Sequence, residues 1–251
     1  MKNEIPKRFS RELNKLTTRQ GRRKSEYFLC EGKRCCSEAL EACIDEVEAL
    51  LYTEATAVIY KDMGCKTFEL SDKDFLIYAQ TENPQGVMLL MKKPVASSVK
   101  LCDDYLLVLD GLSEPGNVGT ILRTAQAVGL TEVVLTRGSV DPYNAKAIRA
   151  GMGAQFKMNI CMVEDLASLA SLVPDKKMWL TSPLAETDLY SENFTLKDSI
   201  LVFGEEGDGI KDFSVGERVK IPMPGAAESL NVAQAATLFL FEGVRESLLR
   251  D

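Results

Sequence analysis

Three short segments carry side chains whose types and spacing could do chemistry. Asn117-Val-Gly-Thr-Ile-Leu-Arg123 sets a carboxamide and a guanidinium six residues apart. Leu201-Val-Phe-Gly-Glu-Glu-Gly-Asp-Gly209 places three carboxylates among three glycines. Ile221-Pro-Met-Pro-Gly-Ala-Ala-Glu-Ser-Leu-Asn-Val232 offers the Ser229 hydroxyl and the Asn231 carboxamide before a run of small residues. Each reads as a strand end, a Gly/Pro loop, then a helix start, a junction that gathers polar groups at the carboxyl edge of a parallel sheet.

The chain has no histidine. Mechanisms that need an imidazole base are therefore excluded, and proton removal falls to a carboxylate, Lys, Tyr, Arg or water. The spacing of Gly204–Gly209 is not that of a dinucleotide loop, and no Lys-Ser/Thr follows it. Its carboxylates would repel a pyrophosphate, so ATP and NAD fit poorly, whereas a zwitterion bearing a sulfonium charge is tolerated.

Plain structural readings stand beside these. Asn117 follows Pro115-Gly116 at an expected helix N-cap, and Ser229 could cap the last helix. Gly204–Gly209 could be an acidic surface turn. Arg123 is harder to explain this way, since its helix face is otherwise apolar and small.

The elements that must position these residues begin after Asp103. Apolar runs predict strands over Tyr105–Leu109, Glu132–Thr136, Met158–Met162, Met178–Thr181, Ile200–Phe203 and Val219–Met223. Periodicity of three and four predicts helices over Asn117–Val128, Tyr143–Ala150 and Glu164–Leu172, with a long helix at the C-terminus. Such alternation means an α/β domain with a mostly parallel sheet. Before it, a basic helical stretch (Phe9–Lys24), a helix from Lys33 to about Ile44, and strands at Tyr27–Cys30, Ala49–Tyr52, Thr67–Leu70 and Gly86–Met91 suggest a separate unit. Pro and Ser in Lys92–Lys100 break both periodicities, which sets the domains at 1–97 and 98–251.

Taken in order, the three segments resemble the signature motifs of the SpoU (TrmH-like) family of RNA ribose 2′-O-methyltransferases, within the SPOUT superfamily. Phe9-Ser-Arg-Glu-Leu-Asn-Lys-Leu16, Gly21-Arg-Arg-Lys24, Phe28-Leu-Cys-Glu-Gly-Lys33 and Thr81-Glu-Asn-Pro-Gln-Gly86 are similar to the substrate-binding domain of many such enzymes. The resemblance implies a parallel-sheet α/β domain with a deep C-terminal trefoil knot, plus a smaller N-terminal α/β RNA-binding domain. It implies S-adenosylmethionine as methyl donor, no metal, and a homodimer. By the family's pattern Asn117, Arg123, Glu206, Ser229 and Asn231 are catalytic and surround the acceptor ribose. Thr181, Gly204, Ile221, Met223, Leu230 and Val232 hold the donor. Glu205 stands where Asn is common, and Gly151 where many relatives carry Ser.

The family offers Arg123 as the group that activates the hydroxyl. A guanidinium pKa above ~12 favours hydrogen bonding to the hydroxyl or a phosphate, and both versions stay open. Ribosomal RNA is favoured over tRNA because of the extra N-terminal domain. A non-catalytic RNA-binding assembly factor on the same fold is the other alternative.

Charge distribution agrees with an RNA partner. The net charge is −7, yet residues 1–34 hold eleven Lys/Arg against four acids, leaving the remainder strongly acidic. A basic arm on an acidic body suits local phosphate binding, with Arg19, Arg22 and Arg23 as contacts. Lys146 and Arg149 share a helical face and could also grip RNA, or simply be solvated. No apolar run approaches the ~20 residues of a bilayer span, and the N-terminus lacks the pattern of a signal peptide. The expectation is a cytoplasmic protein without a membrane partner. Seven cysteines, an odd count without a C-x-x-C pair, are expected to be reduced, structural thiols.

Overall fold

The computed structural model of the chain describes residues 5–94 and 98–248, with the side chains of Arg19 and Leu248 outside that description. It divides into two compact units, Met1–Val95 with Tyr143–Phe156, and Ala96–Pro142 with Lys157–Asp251. The single boundary expected at 97–98 adjoins residues outside the described set. It also misses that Tyr143–Phe156 clusters with the first unit. The reason is packing: Ile148 lies in the first unit's core, and the Tyr143 and Phe156 rings lie 5.1 and 6.2 Å from that of Phe28.

The first unit is built on a four-stranded sheet in the order β1-β4-β2-β3, from β1 (Tyr27–Glu31), β2 (Val47–Thr53), β3 (Thr67–Leu70) and β4 (Val87–Lys92). β4 runs antiparallel to both neighbours, while β2 and β3 are parallel. Its run Val-Met-Leu-Leu-Met is buried on both faces. Val87, Leu89 and Met91 face one cluster, Met88 and Leu90 the other, as the two-residue strand period requires.

The basic stretch expected as one helix is two, α1 (Lys7–Leu16) and α2 (Arg19–Lys24). Thr18 breaks it: its backbone is extended, and its hydroxyl accepts a hydrogen bond from Gly21 N. A side chain at Gly21 would lie 1.9 Å from the Lys15 carbonyl oxygen, so the corner requires glycine. α1 buries Phe9, Leu13 and Leu16. α3 (Lys33–Cys43) covers the opposite face with Cys36 and Ala39. Short helices α4 (Ala57–Tyr60) and α5 (Asp72–Tyr78) complete the region; their length hid them from the periodicity.

Cys30 at the end of β1 and Cys35 in the first turn of α3 are joined as a disulfide, with Cα atoms 6.3 Å apart. This corrects the expectation of a wholly reduced set, because the turn from strand to helix brings two positions five residues apart within bridging reach. Cys36, Cys43, Cys65, Cys102 and Cys161 are outside any disulfide.

Within the segment that joins this unit, α7 (Ala145–Gly151) is capped by Asn144, whose side chain accepts from Lys146 N. Gln155 fills the space over Gly151. A Cβ at 151 would lie 2.4 Å from its Oε1, and Gln155 donates to the Ala147 carbonyl at 3.0 Å. A buried carboxamide therefore occupies the volume that a Ser hydroxyl at 151 would need.

The second unit is a seven-stranded sheet in the order β7-β6-β5-β10-β8-β11-β9, parallel throughout. Its strands are β5 (Leu106–Leu109), β6 (Glu132–Thr136), β7 (Asn159–Val163), β8 (Lys177–Thr181), β9 (Thr187–Asp188), β10 (Ser199–Phe203) and β11 (Glu217–Lys220). Three helices serve it, α6 (Pro115–Ala127), α8 (Leu166–Leu172) and α9 (Val232–Leu248). β5, β6 and β10 are buried along their whole length, which explains their apolar runs Leu106–Leu109, Val133–Leu135 and Ile200–Phe203. α8 packs Leu166 and Leu169 into one cluster with Val108, Val134 and Val202. α6 packs against α9, with Thr124 and Thr237 hydroxyls 3.5 Å apart, and Phe239 of α9 meets the Phe203 ring edge-on. No helix among the described residues is long and apolar enough to cross a membrane.

Candidate active site

The strand order changes direction between β5 and β10. From β5 the chain proceeds outward through β6 to β7, while β8, β10 and β11 lie on the other side. At such a switch point the loops leaving adjacent strands part, opening a crevice at the carboxyl edge. The loops after β5, β10, β8 and β11 all leave that edge, and they carry the three signature segments.

Glu206, in the loop after β10, is the hub. One carboxylate oxygen accepts from Ser113 N and Ser113 Oγ, each at 3.3 Å. The other accepts from Glu114 N at 3.3 Å and Asn117 Nδ2 at 3.0 Å. Asn117 Oδ1 in turn accepts from Asn231 Nδ2 at 3.1 Å. Asn231 Oδ1 accepts from Ala233 N at 2.9 Å and Gln234 N at 3.4 Å. One chain of hydrogen bonds thus joins all three segments.

Desolvation alone would raise the Glu206 pKa. The hydrogen bonds from Asn117, from its own backbone, and from Ser113 and Glu114 outweigh it and hold the carboxyl below its ordinary value. A depressed carboxyl contributes stability above its unfolded pKa, near ~4.3, and loses it as pH falls through the folded value. The network is therefore charged and intact at neutral pH.

The capping roles differ from those expected. α6 begins at Pro115, and its N-cap is Glu114, whose carboxylate accepts from Gly116 N at 3.3 Å. Asn117 sits in the first turn, which frees its side chain for Glu206 and Asn231. The last helix begins at Val232, and Asn231 rather than Ser229 satisfies its first N–H groups. Ser229 is exposed in the loop. β11 ends at Lys220, so Ile221 and Met223 belong to the loop, half-buried between exposed Pro222 and Pro224.

Arg123 is also placed differently. It points into solvent from α6, and among the described residues its guanidinium makes no hydrogen bond or ion pair. The apolar face comprises Val118, Ile121, Leu122 and Ala125 instead. The geometry brings Asn117, Glu206 and Asn231 together and leaves Arg123 outside their network, about 9 Å further along the helix axis.

The expected donor-binding residues line the neighbouring loops. Thr181 closes β8, and its hydroxyl donates to the Val202 carbonyl at 2.9 Å. Gly204 is buried, and a Cβ there would meet the Gly209 carbonyl carbon and Ile210 N at 2.4 Å each. The loop folds back on itself at this point through Gly209 N to Glu205 O, 3.0 Å. Lys211 reaches Glu205 and Asp208 at 3.5 Å, offsetting part of the loop's negative charge. Leu230 is exposed, and Val232, the first residue of α9, is half-buried. From Ile221 to Leu230 no backbone N–H donates within the described chain.

Residues 104–241 match the SpoU rRNA Methylase family, and residues 9–89 match the MRM3-like substrate binding domain. The chain belongs to the SpoU family. It is 31% identical over 244 residues to the 23S rRNA (guanosine-2′-O)-methyltransferase RlmP of Bacillus subtilis, an alignment covering 92% of this chain and 94% of that one. Mitochondrial rRNA methyltransferase 3 of Homo sapiens is 27% identical, over 96% of this chain and 72% of its own length. Among solved structures, a TrmH-family protein from Porphyromonas gingivalis superposes with a TM-score of 0.85 at 28% identity, covering 97% of this chain and all of that one.

Sequence motifs did not single out Ser113 or Glu114, though they supply three of the four donors and the helix cap described above. The only available signal was their position just before Pro115, where a helix start calls for a capping residue. In the basic arm, Arg23 and Lys24 are exposed, whereas Arg22 Nη1 donates to the Leu16 carbonyl at 2.9 Å. Arg22 therefore ties α1 to α2. Arg19 opens α2, and its side chain is outside the described set. Lys146 and Arg149 are exposed on α7.

Proposed function

We propose that this chain transfers a methyl group from S-adenosylmethionine to a ribose 2′-hydroxyl of ribosomal RNA. The observation that carries this reading is the joining of three signature loops by Glu206, Asn117 and Asn231 at the sheet's switch point. Relatives similar over nearly the full length, named as rRNA methyltransferases, support ribosomal RNA over tRNA.

The residues present fit the methyl donor. The exposed loop from Ile221 to Leu230 offers backbone N–H groups free for a ligand, and Glu205, Glu206 and Asp208 suit a sulfonium charge rather than a phosphate. We assign Gly204, Ile221 and Leu230 backbone groups to hold it, with Thr181, Met223 and Val232 lining the same loops. The bound donor supplies an electrophilic methyl on sulfur; the protein's part is to aim the ribose oxygen at it. Asn117, Glu206, Ser229 and Asn231 frame the acceptor side. Arg123 is assigned the contact with the hydroxyl or the adjacent phosphate, where it stabilises developing negative charge.

We also infer that the last segment is threaded as a trefoil knot and that the protein works as a homodimer in the cytoplasm. The motif order supports the knot. For the dimer, α9 presents Leu238 and Phe241, 41% and 51% exposed, one turn apart on its outer face. The domains at 1–97 and 98–251 are assigned as RNA-binding and methyltransferase portions, with Tyr143–Phe156 contributing to the former's core.

The test is incubation with labelled methyl donor and total RNA, followed by mapping of the modified ribose. Label confined to tRNA would replace the substrate, and no label in any RNA would overturn the reading. A companion measurement addresses the arm. Replacing Arg23 and Lys24 with Gln should flatten the salt dependence of RNA affinity by roughly 0.7–0.9 in log–log slope per lost phosphate contact. Arg22→Gln should instead lower the melting temperature, since it removes a bond within the fold. An unchanged slope for the double variant would mark the arm as solvated surface.

A further inference from the structure

We propose that Glu206 is a positioning residue whose carboxylate, seated on Ser113, Glu114 and Asn117, fixes the Asn117 carboxamide and through it the Asn231 end of the third loop. Its activity readout rests on the methyltransferase reading above.

The argument is one of hydrogen-bond polarity. An ionised carboxylate can only accept, and the two oxygens of Glu206 already face four donors. The Asn117 side chain must turn its amino group toward Glu206, which leaves Oδ1 as the only atom it can offer Asn231. Asn231 must then donate from Nδ2, because its Oδ1 is taken by the first turn of α9. Reversing any member sets donor against donor or acceptor against acceptor along the whole chain. The sense of the chain therefore begins at the Glu206 charge and ends at the start of α9.

Ser113 has a place in this device that no motif assigned. It supplies two of the four donors to Glu206, one from its backbone and one from its hydroxyl. Exposed as the side chain is, its two oxygens are engaged by four donors of the protein itself. Glu206 acts through Asn117 rather than on the substrate.

The test exchanges the polarity of one link. Asn117→Asp alone sets two carboxylates face to face. It should lower single-turnover rate by about 100-fold or more, and melting temperature by several degrees, at roughly 2–4 °C per kcal/mol. Glu206→Gln alone should cost about tenfold, because its amide must either keep Asn117 and Glu114 and confront the Ser113 N–H, or turn its NH2 against Asn117 and the Glu114 N–H. In the double variant, N117D with E206Q, the new glutamine donates to the carboxylate introduced at position 117, which still accepts from Asn231. The glutamine carbonyl keeps Ser113, and the Glu114 N–H is the one link left without its acceptor. Rate and melting temperature should both recover well beyond the product of the single losses. Ser113→Ala, keeping its backbone N–H, should cost about fivefold, the loss of one hydrogen bond.

Multiplicative losses in the double variant would overturn the proposal, since a residue that touches substrate is not rescued by swapping its neighbour. Recovery of melting temperature without recovery of rate would equally overturn it, leaving only a structural link. Failure of the wild-type protein to methylate any RNA would refute the methyltransferase reading. Thermal unfolding of the four proteins would then still decide whether Glu206 and Asn117 are coupled: no coupling overturns the proposal.

Discussion

Arg123→Ala is expected to lower single-turnover methyl transfer by about 10²–10³-fold, the usual loss when one preorganised charge-stabilising donor is removed. The melting temperature should stay where it is. Arg123 is exposed on α6 and has no hydrogen bond or ion pair among the described residues, so its removal takes nothing from the fold. This makes the variant a clean probe: any lost rate belongs to contacts made with substrate. Arg123→Lys should recover little, because a point charge lacks the planar fork that can hold a hydroxyl and a phosphate together. Donor affinity, set by the loops after β10 and β11, should be unaltered in calorimetry. If the alanine variant kept more than about a tenth of the parent rate, outside the range for such a donor, Arg123 would have no part in the chemistry.

Gly204→Ala is the second large effect, and it acts through the backbone. The added carbon would lie 2.4 Å from both the Gly209 carbonyl carbon and Ile210 N, and 2.7 Å from the Gly209 oxygen. No rotamer relieves a clash with main chain, so the loop must open and lose the bridge between Glu205 and Gly209. Overpacking of this kind costs about 1–3 kcal/mol, a melting shift of roughly 5 °C here. Glu206 would move with the loop, and methyl-donor binding should fall below detection. Gly207→Ala is the control, since a Cβ there meets nothing within 4 Å. Normal donor binding by Gly204→Ala would show that the loop has no role in holding the donor.

The parallel sheet was legible because its central strands β5, β6 and β10 are buried along their length and so carry apolar runs. β6 agrees with the residues expected, and β5, β8 and β10 agree to within one residue at an end. The meeting of Asn117, Glu206 and Asn231 could be read from motif order and family resemblance, but their hydrogen bonds could not, because they join residues 89 and 114 apart in the chain. Arg123 misled for a simple reason. Helical periodicity identified the apolar stripe correctly yet could not say that residue 123 points away from it. Thr18 split a helix that periodicity read as continuous, since a single side-chain cap outweighs the propensity of its neighbours. Ser113 was invisible: half of its contribution is a backbone N–H, and any residue type carries one.

The placement of Tyr143–Phe156 in the first unit has a consequence for synthesis. During translation the first unit cannot be completed when its own sheet has emerged, because its core still lacks Ile148. By the time residue 156 is out, β5 and β6 of the second unit have already been made, while β10, which must insert between β5 and β8, has not. The chain passes between the units three times. Domains that usually mature one after another on the ribosome must here mature together. A pause or truncation anywhere between residues 110 and 148 would strand two half-built cores at once.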